Sequence, residues 1–276
     1  MLTQEQYSRC RQFIYRHGRL LERRRFAYHF EDGPLAGVLS ALGSYQNPDG
    51  GFGHGLEMDL LCPASSPIAA EEALKILDEV HVRRGPLLER LVLWIEESQQ
   101  PDGTLLHPPA DVKQYPHSPW WAGADPERVL ALAGYLAKWG LGSDRFFRRV
   151  GDLFESLPPP DRVQGFGHYA FYPRYLYVRF APGVRDQRPR LSELLRLLPA
   201  LIEGSPEHHP LLSLPPGYED VVEPELLRRE AERWVGDLEG DGGLRPSYPD
   251  LPWWRPYDTL RGLIRLQSYG MIEGMQ

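Results

Sequence analysis

Cysteine is nearly missing from this sequence: Cys10 and Cys62 are the only two in 276 residues. With no Cys-x-x-Cys pair and no metal-type Cys/His spacing, neither a disulfide framework nor a structural zinc site is expected. Long apolar runs are missing as well. No segment approaches the roughly 18 apolar residues that a membrane-crossing helix requires. Met1 to Gln6 shows no basic stretch leading into an apolar one, so no export signal is expected, and a reducing cytoplasm is the expected compartment. Nor is there a basic excess. Lys and Arg number 31 against 38 Asp and Glu, a formal charge of -7, which argues against a nucleic-acid partner. The one dense basic run is Arg19, Arg23, Arg24 and Arg25. It falls at the end of the first expected helix, where cations suit the negative end of the dipole and solvent; contact with an anionic ligand or membrane surface is the alternative.

Glycine and proline, 27 of each, are plentiful without any low-complexity period, which points to many short, punctuated elements. Thr3 with Gln6 reads as a capping box opening a helix to about Arg24, with Tyr7, Cys10, Phe13, Ile14, Leu20 and Leu21 at helical spacing. Asp32-Gly33-Pro34 opens a second helix, Ser66-Pro67 a third and Pro86 a fourth. Asp125-Pro126 starts a fifth, closed by Gly140, and Ser143-Asp144 starts a sixth that stops before Pro158. Further helices fit about 190–203, 224–238 and 256–269. Tyr169 to Phe180 is open between strand and helix, because its aromatic and β-branched content suits either.

Helix hairpins joined by Gly/Pro-rich loops indicate an all-α protein, read here as a single domain over residues 1–276. Self-similarity is visible within it. Gln46-Asn47-Pro48-Asp49-Gly50-Gly51-Phe52-Gly53 is echoed by Gln99-Gln100-Pro101-Asp102-Gly103-Thr104 and by Glu239-Gly240-Asp241-Gly242-Gly243-Leu244, each after a helix. Asp102 follows Asp49 by 53 positions, room for one helical hairpin with its loops. Gly165-Phe166-Gly167-His168 is a degenerate echo. A second duplication sets Pro116-His117-Ser118-Pro119-Trp120-Trp121 against Pro249-Asp250-Leu251-Pro252-Trp253-Trp254, both before a helix and both downstream of a DG turn.

These turns resemble the repeat of the prenyltransferase and squalene-cyclase superfamily, also shared with the complement thioester domain. The resemblance spans most of the chain but is carried by the loops. It implies an α/α toroid, a ring of inner and outer helices, with glycines permitting chain reversal and each Asp able to cap a helix. The sequence departs from the enzymes of that family. It has no Asp-x-Asp-Asp run, the acid motif of protonation-initiated cyclases, and no Asp/Cys/His set that aligns with the zinc site of protein prenyltransferases. No metal or other cofactor is expected.

The densest polar cluster is His54-Gly55-Leu56-Glu57-Met58-Asp59, directly after the first repeat turn. Two carboxylates beside a histidine form an acid/base pair if burial raises one of them, and in an extended segment Glu57 and Asp59 would face one side. The alternative is that Asp49, Glu57 and Asp59 cap helices or pair with arginines while His54 bonds locally. The second repeat has no matching Glu-x-Asp, which sets the first loop apart. Tyr115, His117, Trp120, Trp121, Trp253, Trp254 and Tyr257 are candidate ligand contacts, since aromatic faces line isoprenoid cavities, stabilise carbocations or stack on sugars; packing between repeats is the alternative. Tyr28 to Asp32 and Tyr218-Glu219-Asp220 read as caps and polar surface, and Glu207-His208-His209 as a surface loop lacking the helical spacing of zinc ligands.

Three functions follow. In the first, an aromatic-lined cavity holds a small-molecule ligand, an isoprenoid, and Glu57 or Asp59 donates a proton. In the second, the toroid is a non-catalytic scaffold or partner-binding module. In the third, it is a carbohydrate-active barrel with Glu57 and Asp59 as acid and base on tryptophan platforms.

Overall fold

A computed structural model describes residues 1–160, 167–210 and 222–275, and among these the secondary structure is helical, with eleven α-helices and no strand beyond isolated bridges. No helix among the described residues is long and apolar enough to cross a membrane. The chain forms two compact units: a terminal unit of Met1–Leu42 with Ile202–Gln276, and a central unit of Gly43–Leu201.

The terminal unit opens with α1 (Gln4–His17), where the capping box expected from Thr3 and Gln6 forms in both directions, Gln6 N donating to Thr3 Oγ1 at 3.2 Å and Thr3 N to Gln6 Oε1 at 3.0 Å. The single helix expected to run to Arg24 is two helices. Gly18 leaves the helical conformation and donates to Ile14 O, after which α2 (Leu20–Phe30) starts afresh, with Glu22 accepting from the Arg19 backbone at 3.0 Å and from its guanidinium at 2.8 Å. The basic run therefore sits at the start of α2, not at the end of a helix. Arg19 is answered by a carboxylate, and Arg25 is buried with its guanidinium over the Tyr257 ring. Glu31, at the end of α2, accepts from Arg11 and Tyr15 of α1.

The same unit holds most of α3 (Leu35–Gly43), then α10 (Pro224–Gly236) and α11 (Arg255–Ser268). Its core joins both chain ends: Tyr7, Cys10, Ile14 and Phe26 pack with Trp234, Leu260, Leu263 and Leu266, and Leu2 pairs with Ile272 through Leu2 N to Met271 O and Glu273 N to Leu2 O. His209, expected on a surface loop, is 2% exposed, its Nε2 3.3 Å from Asp237. Burial lowers it to about 4, against the pull of Asp237. Residues 218–220 and, of the echo at 165–168, Gly165 and Phe166 lie outside the described residues.

The central unit comprises α4 (Pro67–Glu79), α5 (Pro86–Ser98), α6 (Arg128–Lys138), α7 (Asp144–Ser156), α8 (His168–Phe180) and α9, which runs over Gln187–Glu203 into the boundary. Pro67, Pro86, Ser66 and Ser143 open their helices as expected, the two serines by accepting from the third residue on. Residues 169–180 are helical. α8 is buried continuously from Phe171 to Val178, and a helix enclosed on every side shows no polar stripe by which periodicity could identify it. Helices α4, α6 and α8 pack in sequence; Gly134 of α6 lies so close to α8 that a Cβ there would meet Leu176 Cβ at 2.6 Å.

Candidate active site in the central unit

The repeat turns share one geometry. Gln46 bridges to Phe52, Gln99 to Leu105 and Leu238 to Leu244, and the first Asp of each turn accepts the backbone N–H two residues on, at 2.9 Å for Asp49, 3.0 Å for Asp102 and 2.9 Å for Asp241. The Asp residues thus close turns. Each following glycine has positive φ and seats against a helix backbone: a Cβ on Gly50, Gly103 or Gly242 would stand 2.4 Å from the carbonyl oxygen of Arg90 in α5, Arg149 in α7 or Arg9 in α1. Only glycine meets both demands.

After the first turn the chain does something its copies do not. Gly53, with no room for a side chain against Pro63 O, lets residues 53–66 fold back on the turn, and His54 enters the left-handed region at φ 55°. Asn47 fastens this loop: its Nδ2 donates to Pro63 O and Ser65 Oγ at 2.9 Å each, and its Oδ1 lies 2.8 Å from His54 Nε2. His54 itself is exposed. Ser65 Oγ donates to Asp49 at 2.8 Å.

The fold-back carries Glu57 and Asp59 inside, 7% and 5% exposed. They lie in a run of turns, not the extended segment that the spacing suggested. Loop 57–61 is stitched to loop 115–121 by Leu61 N to Pro116 O, Ser118 N to Asp59 O and the Leu60–His117 bridge. Across this seam the Trp121 indole N–H donates to Asp59 Oδ1 at 2.6 Å.

Facing the loop are buried charges of α4. Glu71 is 0% exposed, with Lys75 Nζ at 2.6 Å and Arg128 Nη1 at 2.6 Å; Lys75 also lies 3.7 Å from Glu72, and Arg128 pairs with Asp125 at 2.8 Å. Neighbouring carboxyls are driven in opposite directions. Burial alone would raise Glu71, but the Arg128 and Lys75 charges outweigh it and bring Glu71 to about 2. Glu57 is raised well above the carboxylate range, first by burial and then by the negative charges of Asp59 and Glu72, with Lys75 and Arg128 opposing. A buried carboxyl driven upward thus stands near one driven downward, and environments that push neighbouring carboxyls apart in this way are the means by which sites divide acid from base.

The aromatic candidates divide between the units. In the central unit Trp121 is half-buried against Leu60, Cys62, Ile68 and Val112, Trp120 is 47% exposed, Tyr115 is exposed, and His117 Nδ1 bonds the Tyr115 carbonyl oxygen at 2.8 Å. In the terminal unit Trp253 is 49% exposed, Trp254 stands edge-on to Tyr257 at 5.2 Å, and Tyr257 is buried beneath Arg25 and Arg261. The duplicated Pro-Trp-Trp is a repeated 3-10 turn at Pro119–Ala122 and Pro252–Trp254.

Sequence reasoning passed over Glu71, Glu72, Lys75, Arg128 and His107. The first three read as the polar side of an ordinary helix. His107 is 8% exposed, its ring edge-on to Trp121 at 5.9 Å, and neither ring nitrogen has a hydrogen-bond partner. The repeat itself could have found it, since His107 follows His54 by the same 53 positions that separate Asp102 from Asp49. A concavity lined by Phe154, Pro158, Arg174, Val178 and Leu194 contains none of these residues. Among the described residues no group of three His, Cys, Asp or Glu side chains is placed to hold a metal ion. No family model matches the chain, and no curated protein matches it.

Proposed function

We propose that the chain is an α/α toroid of the prenyltransferase and squalene-cyclase kind, in which Glu57 is a Brønsted acid toward an uncharged isoprenoid. The observation that carries this reading is the buried Glu57 carboxyl, raised well above the carboxylate range by burial and like charge, beside an Asp59 held by Trp121. An alkene is protonated only by an acid that keeps its proton near neutral pH and releases it into a water-poor site, and burial with like-charged neighbours confers both properties. The charge around the acid favours a neutral ligand. Asp59, Glu71, Glu72 and Asp125 stand here with Lys75 and Arg128, two cations already paired with carboxylates, so a diphosphate would be repelled. Leu61 and Trp120, both exposed on the stitched loops, offer apolar and aromatic contact. Support for the ring lies in the terminal unit, where the last repeat turn seats on α1 as the earlier turns seat on α5 and α7.

The test is incubation with geranylgeraniol and with squalene in D2O, followed by mass spectrometry of the extract. The expected result is deuterium incorporation that falls about a hundredfold or more in Glu57→Gln, the scale of a lost general acid. Equal incorporation by both proteins, or none by either, refutes the reading. Carbohydrate chemistry is the second reading, favoured by the half-exposed Trp120 indole, a flat platform near two carboxyls. It is supported instead if the protein releases reducing ends from oligosaccharides and Glu57→Gln does not.

A further inference from the structure

The concavity of the central unit contains none of the residues around Glu57. The end of α7, the Pro158–Pro160 run, α8 and α9 form its walls, and most of the lining is apolar, with Leu157, Val178 and Leu194 in it. It encloses about 540 Å3, open mouth included. Small-molecule sites fall at roughly 300 to 1,000 Å3, with mostly apolar walls and a few placed polar groups.

The walls are braced against one another. Arg174, 3% exposed, reaches from α8 to donate to the Pro158 carbonyl oxygen at 2.7 Å and to the two oxygens of Glu127 at 2.7 and 2.8 Å. Arg190 of α9 makes a two-pronged pair with Glu155 of α7, each bond 2.9 Å, and lies over the Phe154 ring at 5.0 Å. Gln187 Nε2 ties the start of α9 to the Val178 carbonyl oxygen at 2.8 Å. A preformed cavity of this kind binds without a large cost in ordering.

Four charged side chains line it, and three already have partners. Arg174 is taken by Glu127, and Arg190 and Glu155 answer each other. The fourth is Glu193, half-buried on α9, with no hydrogen bond or ion pair among the described residues. Arg190 stands three positions before it, a spacing at which helical side chains pair, yet is turned to Glu155 instead. The cavity thus presents one unanswered carboxylate at an apolar wall, the complement of a cation on an apolar stem.

We propose that this concavity binds a primary ammonium carried on a short alkyl chain, with the ammonium donating to Glu193 and the chain lying on Leu157, Val178 and Leu194. The site takes a single charge. A second ammonium on the same ligand would face the guanidinium groups of Arg174 and Arg190, so monoamines are preferred to diamines. Arg185, which also pairs with Glu155, opposes the ammonium only weakly, because it is 72% exposed and solvent screens it. The inference is independent of the isoprenoid reading, since it uses no residue of that site.

The experiment is a titration of the full chain with hexylammonium chloride, followed through backbone amide resonances, with hexanol, hexanoate and hexamethylenediamine as comparisons. Saturable shifts should be confined to the lining segments of α7, α8 and α9. Hexylammonium should bind about tenfold or more tighter than hexanol, the scale of one charge-assisted hydrogen bond, the diamine no tighter than hexylammonium, and hexanoate not at all. Glu193→Gln should weaken hexylammonium by the same factor and leave hexanol unchanged; it has no partner to lose and should melt with the wild type. Leu157→Trp, which fills the cavity from a half-buried position, should abolish binding of both. Hexylammonium that binds no tighter than hexanol, that binds Glu193→Gln as it binds wild type, or that moves the resonances of Glu57 and Asp59 instead overturns the proposal, as does the absence of any saturable shift. Should Leu157→Trp not fold, the ligand series and Glu193→Gln decide alone.

Discussion

Replacing Arg128 by methionine would test the electrostatic frame of the site without any knowledge of the substrate. The change keeps an apolar stem of similar reach and removes the charge that lies 2.6 Å from the fully buried Glu71, leaving that carboxylate with Lys75 alone. Glu71 is held at about 2 against an ordinary 4.5, which corresponds to about 3 kcal/mol of stability at neutral pH, at about 1.4 kcal/mol per unit. Removing one partner of a buried pair typically costs about 3 to 5 kcal/mol, because an uncompensated charge remains. The expected loss in urea unfolding at pH 7, followed by tryptophan fluorescence, is therefore about 3 kcal/mol. Arg128→Met combined with Glu71→Leu should recover most of it, since replacing both partners removes the stranded charge. The pH dependence has a definite sign. A depressed carboxylate stabilises the fold fully above its unfolded value of 4.5 and loses that contribution as pH falls through 2, so the difference between Arg128→Met and wild type should shrink across that window. A loss below about 1 kcal/mol at pH 7, the scale of an exposed ion pair, or a loss that does not change with pH, would refute the reasoning.

The repeat turns make an equally sharp prediction. Gly50→Ala, Gly103→Ala and Gly242→Ala should each destabilise by about 2 to 5 kcal/mol, combining left-handed strain with a carbonyl contact at 2.4 Å. At Gly140 and Gly270, which have positive φ but nothing within 4 Å of a Cβ, alanine should cost only about 1 to 2 kcal/mol; similar melting temperatures for all five variants would count against this geometry. Cys10, pushed up to about 12 first by burial, should resist a thiol-disulfide reagent at pH 8 until urea unfolds the chain, and stoichiometric native labelling would contradict its placement. Glu57→Gln should be more stable than wild type above neutral pH. A raised carboxyl lends stability below its unfolded value near 4.5 and loses it as pH rises toward its folded value, a loss the amide does not suffer; a variant less stable than wild type at pH 8 would mean that Glu57 is ionised.

How far the sequence reveals the fold depends on which residues mark it. Pro67, Pro86, Ser66, Ser143 and Thr3 announce helix starts because their preference for the first turn is intrinsic and local. The break at Gly18 escapes because α2 is capped by Arg19 and Glu22, a pair outside the usual Ser, Thr, Asp and Asn set. Helix α8 escapes for the opposite reason. It is enclosed on every side, its one charge, Arg174, being paired inside with Glu127, and the pattern that distinguishes helix from strand is the pattern of solvent, from which residues 171–178 are shielded.

The candidate site divides along the same line between local and distant causes. Glu57 and Asp59 are legible because one copy of a repeated loop departs from the other: the positions 53 residues later hold Ala110 and Val112, neither able to donate a proton. What raises the Glu57 carboxyl is not local. It depends first on burial, then on an Asp59 held by an indole 62 residues away and on Glu72 from the following helix, with Lys75 and Arg128 opposing. The second repeat has turned its equivalent of Asp59 into Val112, which packs with Leu60, Cys62 and Ile68 beside Trp121. One copy of the loop therefore carries the buried carboxyls, and the segment after the other provides part of the apolar wall and the donor that hold Asp59. Such a difference between copies sets the buried carboxyls at one turn while leaving the shared backbone geometry of all three intact.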